Sequence, residues 1–482
     1  MQINWLNIIT IPCCDKSYNL VNLISEQLLL LTLLVLLMAE ELIAPQISIY
    51  SDNPLLSQDD RSGWLVISSS PAQLCCIDTP ELIVGRYFQT CDLEITEKMF
   101  DSIDHNLPKE DYVKISRQHF KIIKKRGDSA AVLEDLSMNG TWVDGVPVGR
   151  GNRIILKHCS IISILDPDVD CFRYLDRDTI NQTYPECAER NYLVAELLGS
   201  GHTSVVHLAY KPVDGRIKCF ALKMIKVKKS FDRVLKDAQE EMKIMTRLSH
   251  PCILKFQEMF MGPDQIIIVM EYAAGGELFT VVREKYLDNH LSERLSKVYF
   301  YQIVHCVHHL HKNQVCHRDL KLENILMSSG KKLTTMKVVD FGFSKSWRKI
   351  HDPLVSYVGT PVYMAPEVLM LQSVSEVDED RDRYSYKIDC WALGIILYTM
   401  LSGRRPFLDE PELSAKVRTG EFRPMTGGEW RTVSTEAKHL VKNLLRVDPD
   451  QRFSTQQVLD HSWFINDEAA VNMARRIMFG DD

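Results

Sequence analysis

Two rhythms of hydrophobic spacing divide this chain, and they limit its possible folds more than any other feature. From Trp64 to about Asp176 the apolar residues fall in short runs: "GWLVISS", "ELIVGR", "HFKIIKK", "AAVLEDL", "TWVDG", "RIILKH" and "SIISIL". Turn residues break them at short intervals, which predicts an all-β sandwich. Further along, strand-like runs come first ("YLVAELLGSG", "VVHLAY", "CFALKMIKV", "IIIVMEY"), with one helical stretch, "DRVLKDAQEEMKIMTRL", among them. Helical periodicity then dominates from "SERLSKVYFYQIVHCVHHLH" to the end, so a small β-rich lobe followed by a larger helical lobe is expected. The division that follows is a leader and flexible segment over 1–61, a sandwich over 62–176 and a linker over 177–190. A two-lobed domain over 191–465 and a short tail over 466–482 complete it.

A length of 482 residues suits this multidomain reading. Hydrophobic residues make up 45% and charged residues 25%, the balance of a globular protein. The net charge of −7 gives no footprint for direct nucleic-acid binding, and the basic runs "KKR" and "KVKKS" read as solvated faces. Thirteen cysteines without a C-x-x-C pair suit reduced thiols of the cytosol or nucleus. The run "LLLLTLLVLLM" (28–38) is shorter than the roughly 20 residues that span a bilayer. Three readings of it stay open: a leader without function, with Met38 as the true start; a helix that binds a partner or touches a membrane; or a secretion signal. Two downstream modules that read as intracellular argue against secretion, and a membrane partner is not expected. The acidic "SEVDEDRDR" (375–383) reads as a surface insertion.

The helical half carries an ordered set of chemical groups. Gly199 and Gly201 in "LLGSGHTSVVHLAYK" follow a strand-like run, where a glycine turn lets backbone N–H groups approach phosphate oxygens. Ser204 stands where a G-x-G-x-x-G loop has its third glycine. Lys223 in "CFALKMI" is a strand-borne cation for phosphates, and Glu241 in "AQEEMKIM" is its helix-borne partner. Then come Asp319, Lys321 and Asn324 in "VCHRDLKLENIL", Asp340 in "VVDFGF", and "MAPE". Phosphoryl transfer asks for an aligned hydroxyl and neutralised oxygens. Asp319 would orient the hydroxyl and accept its proton, Lys321 would sit by the transferred phosphate, and Asn324 with Asp340 would hold Mg2+.

Over roughly 192–464 this set resembles the eukaryotic protein kinase family. Lys321 in "HRDLKLEN" and Thr360 in "GTPVYMAPE" match its serine/threonine members. The resemblance implies ATP as cofactor, held by Gly199, Ser200, Gly201, Val206 and Lys223. It also implies a gatekeeper at Met270 and a hinge at Glu271 and Ala273. Glu277 in "GGELF" would contact ribose and, with Glu323, an arginine of the protein substrate a few residues before the acceptor. Asp389 and an Arg452–Glu367 pair would be structural. The segment from Asp340 to Glu367 would be the activation switch, with Ser356 autophosphorylated and its phosphate captured by Arg318.

In the β-rich half, "VGRY" (84–87), "SRQHF" (116–120) and "NGTWV" (139–143) resemble the forkhead-associated (FHA) domain signature. A phosphothreonine carries about two negative charges and three acceptor oxygens. Arg86, Ser116 and Arg117 supply the matching guanidinium, hydroxyl and further cation, with Arg117 in place of the commoner lysine. Asn139 would hold the peptide backbone, while Thr141, grouped with the same site, and His119 would brace the loops. The combination resembles checkpoint kinase 2 type effectors of DNA damage, with meiotic kinases as the alternative and a phosphopeptide-binding scaffold as a further one. The resemblance implies transient homodimers, phosphothreonine peptides or a scaffold as partners, and a nuclear or cytoplasmic location. Ser57-Gln58 is the one Ser-Gln ahead of the sandwich.

Overall fold

In the computed structural model the described residues run from 62 to 480, leaving out 70–71, 104–107, 126–127, 129, 184–190, 202–203, 214–215, 227–245, 262–264, 286–289, 342–344, 347–360, 372–385 and 409–411. The run 28–38, Ser57, Glu241, Ser356, Thr360 and the acidic insertion fall outside them.

The β-rich half is a two-sheet sandwich. Its strands are β1 (Gly63–Ile67), β2 (Gln73–Ile77), β3 (Glu81–Gly85), β4 (Leu93–Glu94), β5 (Phe120–Ile123) and β6 (Ala131–Asp135). They continue with β7 (Thr141–Val143), β8 (Val146–Pro147), β9 (Arg153–Leu156), β10 (Ile161–Ile164) and β11 (Phe172–Asp176). One sheet runs β2-β1-β11-β10-β7-β8 and the other β4-β3-β5-β6-β9. Alternation decides which residues go in: along β6, Ala131, Leu133 and Asp135 are buried while Val132 and Glu134 are half-buried. Between the sheets Phe120 meets Phe172 edge-on at 5.5 Å.

β1 departs from alternation. All five residues of "GWLVI" are buried, because this strand has a hydrophobic partner on each face. Leu65 and Ile67 join the sandwich core. Trp64 and Val66, with Leu175 of β11, join a second cluster that includes Tyr192, Leu193, Leu208 and Phe220 of the following lobe. Arg173 of β11 reaches Glu196 across the same seam at 3.0 Å. The stretch read as a linker begins as a helix, Arg177–Thr183, and Ile180 is only 2% exposed within that cluster. Burial of Ile180 supplies part of what orders this turn. Lys124, buried, anchors the helix start by pairing with Asp176 at 2.5 Å and Asp178 at 3.0 Å.

The small lobe holds β12 (Leu193–Ser200), β13 (Ser204–Val213), β14 (Arg216–Lys226), β15 (Phe256–Met261) and β16 (Gln265–Glu271), in the order β12-β13-β14-β16-β15. In the large lobe the helix Glu293–Lys312 is capped by Ser292, whose side chain accepts from Leu295 N. The helix Lys387–Ser402 is buried from Asp389 to its last residue. A Cβ on its Gly394 would stand 2.9 Å from Leu444 Cβ, so glycine here permits a close crossing. The segment read as a tail is also a helix, Glu468–Phe479, capped by the Asp467 side chain. Ala470, Val471, Ala474 and Met478 are buried, and Lys297 holds Asp467 at 2.9 Å. Their helical spacing puts them on one face, which packs on Glu293–Lys312.

Candidate functional site

The loop "VCHRDLKLENIL" is folded around two bonds to one carboxylate. Asp319, 5% exposed, accepts from Lys321 Nζ at 2.8 Å and from Asn324 Nδ2 at 2.9 Å, both on Oδ2. Among the described residues Oδ1 is therefore the oxygen left for a substrate hydroxyl. Asn324 Nδ2 also donates to the Asp319 carbonyl at 2.8 Å. With its nitrogen engaged twice, Asn324 offers its Oδ1, an oxygen suited to a hard divalent cation.

Asp389 holds the loop from below. Its carboxylate accepts from His317 N and Arg318 N, each at 2.9 Å, and from His311 Nε2 at 2.9 Å. Burial alone would raise its pKa. The His311 hydrogen bond and charge, then His317 and the Arg318 amide, outweigh that and keep it below the usual carboxylate range. These bonds steady Arg318 at φ +72°, a left-handed conformation that costs a non-glycine residue about 1–3 kcal/mol. Asp389 is structural, as read from the sequence: it sets the backbone on which Asp319 stands. His317 Nε2 donates to Val339 O at 3.0 Å and so ties the loop to the strand end that presents Asp340, itself at φ +64°.

Lys223 Nζ lies 3.2 Å from Asp340 Oδ1, so the cation and the carboxylate that the sequence assigns to phosphate and metal address one volume. Val206 faces Lys223 across the β13–β14 ladder and Gly199 faces Val206 across β12–β13, which stacks all three over that volume. Gly201 N donates to Ser204 O at 2.7 Å and closes the turn after Ser200. At the far end of β16, Met270 and Ala273 are buried, and the Glu271 carboxylate is already engaged by Lys337 at 2.6 Å. Glu277 is exposed, on the short strand Gly276–Glu277. Partial desolvation by its neighbours and the Glu323 charge raise its pKa. Glu367 and Arg452 form a two-pronged pair at 2.7 and 2.9 Å, the pairing expected from the sequence.

A second site lies at one end of the sandwich. A Cβ on Gly85 would stand 2.2 Å from Arg117 O, so only glycine lets the "VGRY" and "SRQHF" loops meet. Arg86 N and Tyr87 N then donate to Ser116 O and Arg117 O at 3.2 and 3.3 Å. Ser116 and Arg117 line a cleft of about 530 Å3, with the Arg117 guanidinium 5.5 Å over the Tyr87 ring. Arg86 and Asn139, expected at the same site, are not among the residues that line the cleft; Arg86 Nε donates to Ile115 O and Asn139 Nδ2 to Lys114 O. His119, fully buried, accepts from Ser116 N and donates to Gly140 O. Burial, more than these bonds can offset, lowers its pKa. Thr141 does not belong with the peptide contacts: it is 1% exposed and donates to Asp135 Oδ1 at 2.8 Å. Arg150 and Met138 also line the cleft. Sequence reasoning passed over both, although an arginine between the glycines of "VGRGN" was a visible signal.

The protein kinase domain matches residues 192–464, more than half of the chain. The chain belongs to the protein kinase family. Its FHA domain matches residues 82–165. The kinase is similar to the ovarian-specific serine/threonine-protein kinase Lok of Drosophila melanogaster, at 36% identity over 393 residues, 78% of each chain. It is also similar to the meiosis-specific serine/threonine-protein kinase mek1 of Schizosaccharomyces pombe, at 31% over 426 residues, 86% of this chain and 88% of that one. The probable serine/threonine-protein kinase fhkE of Dictyostelium discoideum is 33% identical over 364 residues, 73% of this chain and 49% of that one. This is a serine/threonine protein kinase with an FHA domain; it uses ATP and a divalent metal, acts on protein substrates and binds phosphothreonine peptides.

Proposed function

We propose that this kinase is a checkpoint effector switched on by phosphothreonine docking. An upstream kinase modifies a scaffold or the N-terminal segment near Ser57. The FHA domain then docks on a phosphothreonine of the scaffold or of a second chain, and the raised local concentration lets paired kinases phosphorylate Ser356 in each other's loop. Support comes from one observation above the others: a phosphopeptide cleft with Ser116 and Arg117 on its wall is built into the same chain as a complete catalytic loop. The working metal is Mg2+, held by Asn324 and Asp340 through oxygen, and the chemistry it supplies is neutralisation of phosphate charge. Lys223 steadies the nucleotide, Glu271 and Ala273 meet adenine through their backbone, and Asp319 takes the hydroxyl proton. Glu277 and Glu323 favour substrates with an arginine before the acceptor. The site of action is the nucleus or the cytoplasm.

A meiotic role is the second reading. It is favoured by the alignment with the meiosis-specific relative, which spans 86% of this chain. Mapping phosphosites before and after DNA damage decides between them. Modification near Ser57 or in 344–360 that appears only after damage supports the checkpoint reading, and sites that stay the same move the assignment to meiosis.

Two variants test the parts. Arg86→Ala removes a charge-assisted contact to phosphate and is expected to weaken a phosphothreonine peptide about 10- to 100-fold, read by calorimetry on the full chain against the unphosphorylated peptide. Ser356→Ala is expected to hold activity near the basal level after incubation with ATP, while the parent rises about tenfold or more as its loop orders. A Ser356→Ala protein that activates like the parent removes autophosphorylation at that site from the scheme.

A further inference from the structure

One cation outside the catalytic and docking machinery stands on a carboxylate that the arginine preference needs. It is Arg405, in "SGRRPF" after the helix Lys387–Ser402. Its Nη2 donates to Glu323 Oε1 at 3.0 Å. The guanidinium lies 5.7 Å from the Phe279 ring and 5.8 Å from the Tyr363 ring. Contact with aromatic faces holds a planar cation in place and favours it further. Glu323 is thus partnered through one oxygen before any substrate arrives. Its other oxygen, Oε2, is buried with no hydrogen-bond partner among the described residues. The neighbouring carboxylate is Glu277, which feels the Glu323 charge. The nearby Lys321 is engaged by Asp319 at 2.8 Å.

We infer that Arg405 is an internal competitor of the substrate's arginine, setting how strongly this kinase demands that residue. The inference rests on the reading of Glu277 and Glu323 as the arginine subsite. Two carboxylates less one guanidinium leave a single net negative charge, centred on the exposed Glu277 because Arg405 holds the Glu323 carboxylate. One net charge matches one incoming guanidinium. It also means that Glu277 carries most of the discrimination and that Glu323, already neutralised by Arg405, carries little. Removing Arg405 frees the whole Glu323 charge for the substrate, so preference sharpens instead of fading.

Steady-state kinetics on the full chain with paired peptides, arginine or alanine at the discriminating position, read this as a ratio of kcat/KM values. Arg405→Gln is expected to raise the ratio about three- to tenfold, the range of one half-buried ion pair. Arg405→Met, which keeps the apolar stem between the rings, should do the same and guards against a folding defect, with Tm followed for both. Glu323→Gln is expected to change the ratio less than about twofold in the parent but several-fold in the Arg405→Gln background, a coupling that a merely structural arginine does not produce. A ratio that stays level or falls in both Arg405 variants overturns the inference, provided Glu277→Gln still collapses the ratio in the parent. Should Glu277→Gln leave the parent's ratio untouched, the arginine subsite itself is misassigned and the inference falls with it.

Discussion

Asp319→Asn is expected to fold normally and to transfer phosphate about 10²- to 10⁴-fold more slowly, the usual contribution of a positioned general base. Asparagine keeps the shape of the side chain and an acceptor for Lys321 and Asn324, so the loop should hold. Two things are lost: a base for the hydroxyl proton, and the negative charge that Lys321 Nζ meets at 2.8 Å. The measurement is labelled phosphate passed to a peptide under saturating ATP and Mg2+, with the thermal transition as control. A variant retaining a tenth or more of the parent kcat would show that proton removal is not what Asp319 supplies. Because its Oδ2 is already shared by two donors, the effect should appear in kcat far more than in KM.

Arg452→Ala is expected to cost about 3–5 kcal/mol of stability, the range for breaking a buried ion pair from one side. Arg452 is 1% exposed. Beyond Glu367 it donates to the carbonyls of Arg446, Val447 and Lys387 at 2.9, 3.1 and 2.8 Å, and its guanidinium sits 5.1 Å over the Trp391 ring. Truncation strands Glu367 and leaves three carbonyls short of a donor. Urea unfolding of parent, Arg452→Ala, Glu367→Gln and the double variant separates these terms. The double variant should recover part of the loss, since the uncompensated charge is gone. A loss below about 1 kcal/mol in Arg452→Ala would mean that the pair contributes as a surface bridge does.

The catalytic loop was readable because its chemistry is local in the chain: Asp319, Lys321 and Asn324 lie within six residues and bond to one another. The two-sheet sandwich was readable because alternation along strands such as β6 follows from burial on one face. The seam was harder. "GWLVI" reads as one more strand, and only the packed structure reveals that its second face is covered by another lobe. Arg150 and Arg405 were passed over for a related reason. A single arginine in a turn carries no pattern of its own, and its meaning comes from whichever acid, ring or cleft the fold sets beside it. The helix Glu468–Phe479 falls within the helical periodicity read to the end of the chain, but was set apart as a tail although Asp467 as cap and apolar residues at 470, 471, 474 and 478 spell a packed amphipathic face. Thr141, grouped with the peptide site but expected to brace the loops, does the bracing: it is buried and bonded to Asp135.

The shared cluster of Trp64, Val66, Leu175 and Ile180 with the small lobe has a geometric corollary. A reader domain joined to its enzyme by an apolar joint cannot act as a ball on a string. Wherever the sandwich grips a partner, the mouth of the nucleotide cleft is aimed along with it. Two such molecules gripping one another, or two neighbouring marks on a scaffold, would meet in only a narrow set of poses, and the spacing of those marks would decide which chains face each other productively.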